Sequence, residues 1–451
     1  MVTFAPMGPV DVAIVGGGAS GTLVAVQLLE KARGPFRIAL IERSGTLGRG
    51  LAYGSSEACH LLNVPAAGMS AFPDRPEDFV EWSGAAPDHF VPRAVYGDYL
   101  AARLAEARAQ AQPEVSLFVV RGEVIGIQAA EGGLRLAFSD GVELVARAGV
   151  LAPGNFPSAE VAVRGHPAYR DSPWDTDAFE GVSPGASILF LGTGLTMIDA
   201  ALALDQRGHR GTMHALSRHG LLPQEYGEVP FPTRWRIGAN GLRGLLRAVR
   251  LAARGGTEWR TIVDGLRTAT PRIWSRLSLA DKRRFLRHLR PYWDVHRHRM
   301  APSAARRIAQ LEAEGRLRVI AGRLQSSEPR GALAMVRYRA RGERAERELE
   351  VARIVNCTGP AIYLADMRHP LIASVLEGGL ARADALGLGL ATDRDGALLG
   401  NADGRLFTLG NLRRGELWET TAIPELRAQA STLAERLLRE LTLPYPAEAT
   451  L

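Results

Sequence analysis

Two regions of the chain repeat one pattern of apolar and polar positions: a short apolar run, a glycine-rich turn, a longer Ala/Leu-rich stretch and a second apolar run. In the first, Val10-Asp11-Val12-Ala13-Ile14-Val15 leads into Gly16-Gly17-Gly18-Ala19-Ser20-Gly21, and the stretch through Leu29 is followed by Arg37-Ile38-Ala39-Leu40-Ile41-Glu42. In the second, Ser187-Ile188-Leu189-Phe190-Leu191 leads into Gly192-Thr193-Gly194-Leu195-Thr196-Met197, and a later run, Gly211 to Leu216, ends in Ser217-Arg218-His219. Short apolar runs bounded by glycine predict strands, and the stretches between them predict helices. The fold class read from this order is α/β, with two Rossmann-like dinucleotide-binding domains.

Each glycine of the first turn has a separate task. Gly16 makes the tight turn, Gly18 lets the backbone approach a pyrophosphate, and Gly21 lets helix and strand pack closely. The helix amides and dipole would hold the phosphates, and Glu42 stands where a carboxylate accepts the ribose hydroxyls of an adenosine. The second turn keeps Gly192 and Gly194 but has Met197 at the third position. Its following strand ends in Arg218 rather than an acid. A guanidinium there pairs with a 2′-phosphate that a carboxylate would repel, which favours NADPH over NADH.

Between the turns, Leu117 to Val124, Gly133 to Phe138 and Val142 to Ala148 read as short alternating strands. They close on Val150-Leu151-Ala152-Pro153-Gly154-Asn155-Phe156-Pro157, and a near-copy of that exit appears as Ala352-Arg353-Ile354-Val355-Asn356-Cys357-Thr358-Gly359-Pro360. Two matched exits imply one domain inserted in another. The expected boundaries are 1–157 and 357–451 for the first domain and 158–356 for the second. The last segment supplies a strand, Leu406 to Asn411, and a helix entered through Trp418-Glu419-Thr420-Thr421-Ala422-Ile423-Pro424 and capped by Thr421.

Composition narrows the classes. No stretch of the 451 residues approaches the apolar length of a membrane span. Met1 to Pro9 lack the basic start and apolar core of a secretory signal, so a cytoplasmic protein is expected. Two cysteines, Cys59 and Cys357, cannot form a disulfide framework, a Cys-x-x-Cys site or a closely spaced redox pair. The net charge of +7 is unevenly placed: Thr233 to Met300 carries 17 Lys and Arg against 4 Asp and Glu, so the remainder is net acidic. This basic stretch, about 233–302, reads as a helical insert, with helices over Asn240 to Arg254, Thr257 to Thr268 and Leu279 to Leu289, the last opened by Ser278-x-x-Asp281. As a cover it would draw in an anionic substrate; as a plain solvated face it would do nothing specific. Trp235, Trp259 and Trp274 are spaced through it but are not interleaved as in single-strand binders. His296 and His298 lack a third ligand, and no metal is expected.

The order of motifs resembles the two-dinucleotide-domain flavoproteins, in which an FAD domain is interrupted by an NADPH domain. Gly48-Arg49-Gly50-Leu51-Ala52-Tyr53, Leu61-Leu62-Asn63-Val64-Pro65-Ala66, Gly192 to Asp199, Trp293 to Arg299 and Leu417 to Ala422 resemble the bacterial FAD-NAD(P)-binding protein family, relatives of flavin-dependent N-hydroxylating and Baeyer–Villiger monooxygenases. The resemblance assigns Gly16, Gly18, Ser20, Gly21, Glu42, Arg43, Gly359, Gly410, Thr421 and Ala422 to FAD. It assigns Gly192, Gly194, Leu195, Thr196, Ser217 and Arg218 to NADPH. By position it also implies Asn63 as a group facing the flavin and nicotinamide, where a turn-capping Asn is the alternative, and His60 as a proton relay, where a packing histidine is the alternative. Three readings follow. The first is a monooxygenase using molecular oxygen on a small anionic or amine-bearing metabolite. The second is an NADPH:acceptor reductase without oxygen chemistry, and the third is a flavoprotein whose basic helices dock nucleic acid or a partner.

Overall fold

A computed structural model describes residues 8–227 and 241–442. Met1 to Met7, in the segment expected to carry no secretory signal, lie outside the described residues, as do Trp235, Asn240 and the start of the basic insert. The chain divides into two compact units, one from Met1–Ser56, Val64–Asn155 and Ile362–Leu451, the other from Glu57–Asn63 and Phe156–Ala361.

The first unit holds β1 (Val10–Val15), β2 (Phe36–Glu42), β3 (Val115–Arg121), β4 (Val124–Ala130), β5 (Gly133–Phe138) and β6 (Glu143–Leu151) in the order β3-β2-β1-β6-β5-β4. The β3, β2, β1 and β6 neighbours are parallel, and β4, β5 and β6 form an antiparallel meander. Strand β6 serves both: Glu143 to Ala146 face β5, while Ala146 to Leu151 run beside β1. Val12, Ala13 and Ile14 are wholly buried, as expected of a parallel strand covered on both faces. The helices Ala19–Lys31, Arg93–Gln110 and Ile423–Thr442 supply the covering on this unit.

The expected strand over Leu117 to Val124 is two strands. The break falls at Gly122, where a Cβ would stand 2.7 Å from the Phe138 ring and the amide donates to the Glu42 carbonyl. β4 eludes a sequence reading because its outer positions are solvated and the alternation is weak.

The second unit repeats the plan with β7 (Tyr169–Arg170), β8 (Ile188–Leu191), β9 (Met213–Ser217), β10 (Leu317–Arg330), β11 (Leu333–Ala340), β12 (Arg347–Val351) and β13 (Arg353–Asn356), ordered β12-β11-β10-β9-β8-β13-β7. Here β10 does double duty, parallel to β9 over Leu317–Ala321 and antiparallel to β11 over Gly322–Arg330. The last strand, β14 (Leu406–Thr408), returns to the first unit and pairs in parallel with Gly149–Leu151.

Between β9 and β10 the basic stretch folds as Gly241–Arg254, Trp259–Arg276, Leu279–His288 and Arg290–Arg297. The second of these passes the expected end at Thr268 and continues through Pro271. Thr270 Oγ1 donates to the Leu266 carbonyl, and beyond the proline Trp274 is buried and holds the last turn. Ser278 Oγ accepts the Asp281 amide as the capping pattern predicts. Asp281 does not reciprocate; its Oδ2 accepts the Leu242 amide at the head of Gly241–Arg254.

Candidate functional site

The first glycine turn is set by steric necessity. Gly16 has φ of 110°, and a Cβ there would stand 2.2 Å from the Ala152 carbonyl; at Gly21 it would stand 1.9 Å from the Gly16 carbonyl. Gly17 is more loosely constrained, by side chains, because a Cβ would meet Leu47 and Glu42 at 2.7 and 2.8 Å. The Gly17 amide donates to Glu42 Oε2 at 2.9 Å, and Ser44 donates to Oε1 from its amide and hydroxyl. Glu42 is thus tied to the turn at the end of β2 and keeps lone pairs free to accept further hydrogen bonds. Arg43 points away, 73% exposed, with Glu123 at 3.7 Å.

The end of the chain completes this cradle. A Cβ on Gly410 would lie 3.5 Å from Ser20 Oγ. The Gly410 amide donates to Gln429 Oε1, the Gly410 carbonyl accepts Thr420 Oγ1, and Gln429 Nε2 donates to the Thr420 carbonyl. One residue further, Asn411 is 5% exposed, and neither its Oδ1 nor its Nδ2 has a partner. A buried orphan amide is costly, and beside a dinucleotide turn it fits a ligand that supplies the missing partners. The sequence reading assigned Gly410 but missed Asn411 and Gln429. Adjacency to Gly410 was the available signal for Asn411; Gln429, on the last helix, gave none.

Ala422 occupies the capping position of Ile423–Thr442, its carbonyl accepting the Leu426 amide. The expected cap, Thr421, lies one residue earlier and is exposed. Alanine brings no side-chain acceptor to the first turn of the helix. Trp418, just upstream, holds φ of 64° and ψ of −66°, an unfavourable backbone for a bulky residue of the kind found at ligand sites.

The second turn copies the first with informative changes. Gly192 has φ of 112°, and its Cβ would stand 2.3 Å from the Cys357 carbonyl, the counterpart of Gly16 against Ala152. Around Gly194 there is open space for a Cβ. Thr193 stands where Gly17 does; its Oγ1 donates to the Leu221 carbonyl and lies 3.0 Å from Ser217 Oγ. The amide bonds from Gly16 to Ile41 and from Gly192 to Leu216 align Glu42 with Ser217, so that Arg218 follows in place of an acid. Arg218 is exposed. Leu195 and Thr196 open the helix Leu195–Gln206, and Met197 is fully buried in the core against which that helix packs.

Of the residues assigned to FAD, Gly359 falls in the second unit, in the turn after β13, and the other nine fall in the first. Asn63 and His60 both lie in the second unit. Asn63 is half-buried. His60 is 3% exposed, its Nε2 3.2 Å from the Asp199 carbonyl and its ring edge-on to Trp174. Burial pushes the Cys59 thiol up to about 11 and raises Cys357 as well, so neither is a thiolate near neutral pH. In the insert, Trp274 is buried, and Trp259 is enclosed by Arg260, Arg299 and His296. Among the described residues no group of His, Cys, Asp and Glu is arranged to hold a metal ion, and no helix is long and apolar enough to cross a membrane.

Solved structures with this fold span nearly the whole chain. The ornithine N-hydroxylase of Kutzneria sp. 744 matches with a TM-score of 0.68 at 16% identity, covering 96% of this chain and 99% of its own. The cadaverine monooxygenase of Erwinia amylovora, solved bound to FAD, matches at 0.67 and 13%, covering 99% and 97%. A bacillithiol disulfide reductase of Staphylococcus aureus matches at 0.60 and 13%, covering 96% and 99%. At these identities the likeness is one of fold. No curated protein sequence matches the chain. A family model described as FAD-NAD(P)-binding matches residues 13–156, about a third of the chain, a segment that contains the first glycine turn and Glu42; the chain is similar to that family over this segment, on a fold of two Rossmann-like dinucleotide-binding domains.

Proposed function

We propose that the chain is an FAD- and NADPH-dependent oxidoreductase that hydroxylates the nitrogen of a small amine-bearing metabolite. The observation that carries the cofactor assignment is the exchange at one equivalent position: Glu42 ends β2 and bonds the first turn, whereas Ser217 ends β9 and is followed by Arg218. FAD, when bound, supplies two-electron transfer between a nicotinamide and oxygen. The residues do the rest. The amides of the first turn and the head of Ala19–Lys31 hold a pyrophosphate, Glu42 accepts ribose hydroxyls, and Asn411 gives its amide to polar edges that water cannot reach. Gly194 lets the second pyrophosphate approach, and Arg218 pairs with the 2′-phosphate.

Oxygen chemistry on an amine is supported by two features. Thiol–disulfide exchange needs a reactive thiolate, and here burial keeps both thiols protonated and neither has a neighbouring partner cysteine. Three of the solved relatives are named as hydroxylases or monooxygenases of ornithine, lysine and cadaverine, all small amines. Among the described residues, Trp274 is buried and Trp259 is covered by Arg260, Arg299 and His296, so neither presents the open ring face on which a single-stranded base stacks.

The test is a panel of ω-amino acids and diamines given to the FAD-loaded protein, with NADPH consumption, hydroxylamine product and hydrogen peroxide measured together. Product matching the NADPH consumed establishes the reading. NADPH consumption that yields only peroxide for every amine, and is speeded by a quinone, replaces it with the acceptor reductase.

A further inference from the structure

The second unit contains a cleft of about 490 Å³ walled by arginines from four separate segments. Arg218 comes from the loop after β9, Arg323 from β10, Arg339 and Arg341 from the end of β11, and Arg287 from the last turn of Leu279–His288. His219 and His288 stand beside them. The one carboxylate in the wall, Glu343, is held at both oxygens by Arg347. Arg323 and Arg339 are register partners across the antiparallel β10–β11 ribbon, a like-charge pairing that costs stability.

The same ribbon elsewhere matches its charges. Arg337 bonds Glu328 and Glu348, and Arg330 bonds Glu350. The cleft is the exception: among the described residues none of its five arginines has an ion pair or a side-chain hydrogen bond. Their field reaches His219, whose imidazole burial and then Arg341, Arg218 and Arg323 hold below its ordinary range. A chain that pairs so many of its surface charges leaves these five without anionic partners in one concave site. The cleft opens one residue past Ser217, which lies against the second turn, so the 2′ side of a ribose bound there faces the arginines.

We infer that the 2′-phosphate of NADPH is read by the whole cleft, with Arg287, Arg323, Arg339 and Arg341 as specificity-determining groups beside Arg218, and with Arg287 tying the helical insert to the nucleotide. The inference rests on the NADPH reading above. A phosphate dianion takes charge-assisted bonds from several guanidiniums at once. Loss of Arg218 alone therefore leaves part of the preference in place.

The test is calorimetric titration of the full-length, FAD-loaded protein with 2′,5′-ADP, 5′-AMP and pyrophosphate, together with thermal melts. The unaltered protein should bind 2′,5′-ADP at least about a hundredfold tighter than 5′-AMP, and R287Q, R323Q and R339Q should each cut that ratio about tenfold while leaving 5′-AMP affinity alone. Without ligand, R323Q and R339Q should melt no lower than the parent, because a like-charge pair is relieved. If these three variants keep the full preference while R218Q abolishes it, the inference falls and the NADPH reading stands. If the parent shows no preference for 2′,5′-ADP, or binds pyrophosphate equally well, both fall.

Discussion

Asn411 is the residue in the first unit whose state most needs explaining. A buried amide with neither atom satisfied costs on the order of 1–3 kcal/mol in the free chain, and it recovers that only when a partner arrives. Asn411→Leu, close to it in shape, is expected to leave the FAD-free protein as stable as the parent or more so by melting temperature, while weakening FAD retention about tenfold by fluorescence titration. Equal FAD affinity in the two proteins would remove Asn411 from the site. Asn63 lies in the second unit and is half-buried. If its amide shields reduced oxygen or orients the nicotinamide, Asn63→Ala should raise peroxide released per NADPH severalfold with cofactor binding unchanged. Unchanged coupling would leave it as a turn residue. His60, enclosed by Trp174 and the Asp199 carbonyl, has the surroundings of a packing group.

At the scale of elements, the two glycine turns look alike in sequence and differ in what they tolerate. Gly21→Ala would drive a Cβ into the Gly16 carbonyl, and a clash of that kind costs about 1–3 kcal/mol or more. Gly194→Ala meets nothing within 4 Å, so its melting temperature should match the parent while its affinity for NADPH drops, since the backbone can no longer approach the pyrophosphate. A fall in both stability and binding would mean that the second turn is as crowded as the first.

The helix Leu195–Gln206 is also fastened by Asp205. Its carboxylate takes paired bonds from Arg307 on Pro302–Ala313 and a third from Arg316 just before β10. Arg307 first and Arg316 with it hold that carboxyl near 2, against an ordinary 3.8. A depressed carboxyl stabilises the fold fully above its unfolded value and loses that contribution as pH falls toward the folded one. Asp205→Asn should therefore cost on the order of 1–2 kcal/mol at pH 7, with the gap to the parent closing between about pH 4 and pH 2 in denaturant melts. A gap independent of pH would show that packing, not charge, is what Asp205 provides.

For the molecule as a whole, the duplication is the organising fact, and much of it was legible in the chain. Runs buried on both faces are apolar, as in Val12–Val15 of β1 and in β8, and the tight turns that follow them admit only glycine at Gly16 and Gly192. Those constraints are local, so the α/β class and the two turns could be read residue by residue. The matched exits at Gly154 and Gly359 likewise revealed that one sheet is entered twice. Tertiary structure decided what depends on distant segments meeting. Strand β4 was hidden by its solvated side, and Gln429 earns its place only because the last helix returns to Gly410. Asn411 stands out only once its amide is seen to lack a partner. The arginine cleft assembles residues 218, 287, 323 and 339 through sheet register and helix placement, and no periodicity along the chain encodes that meeting.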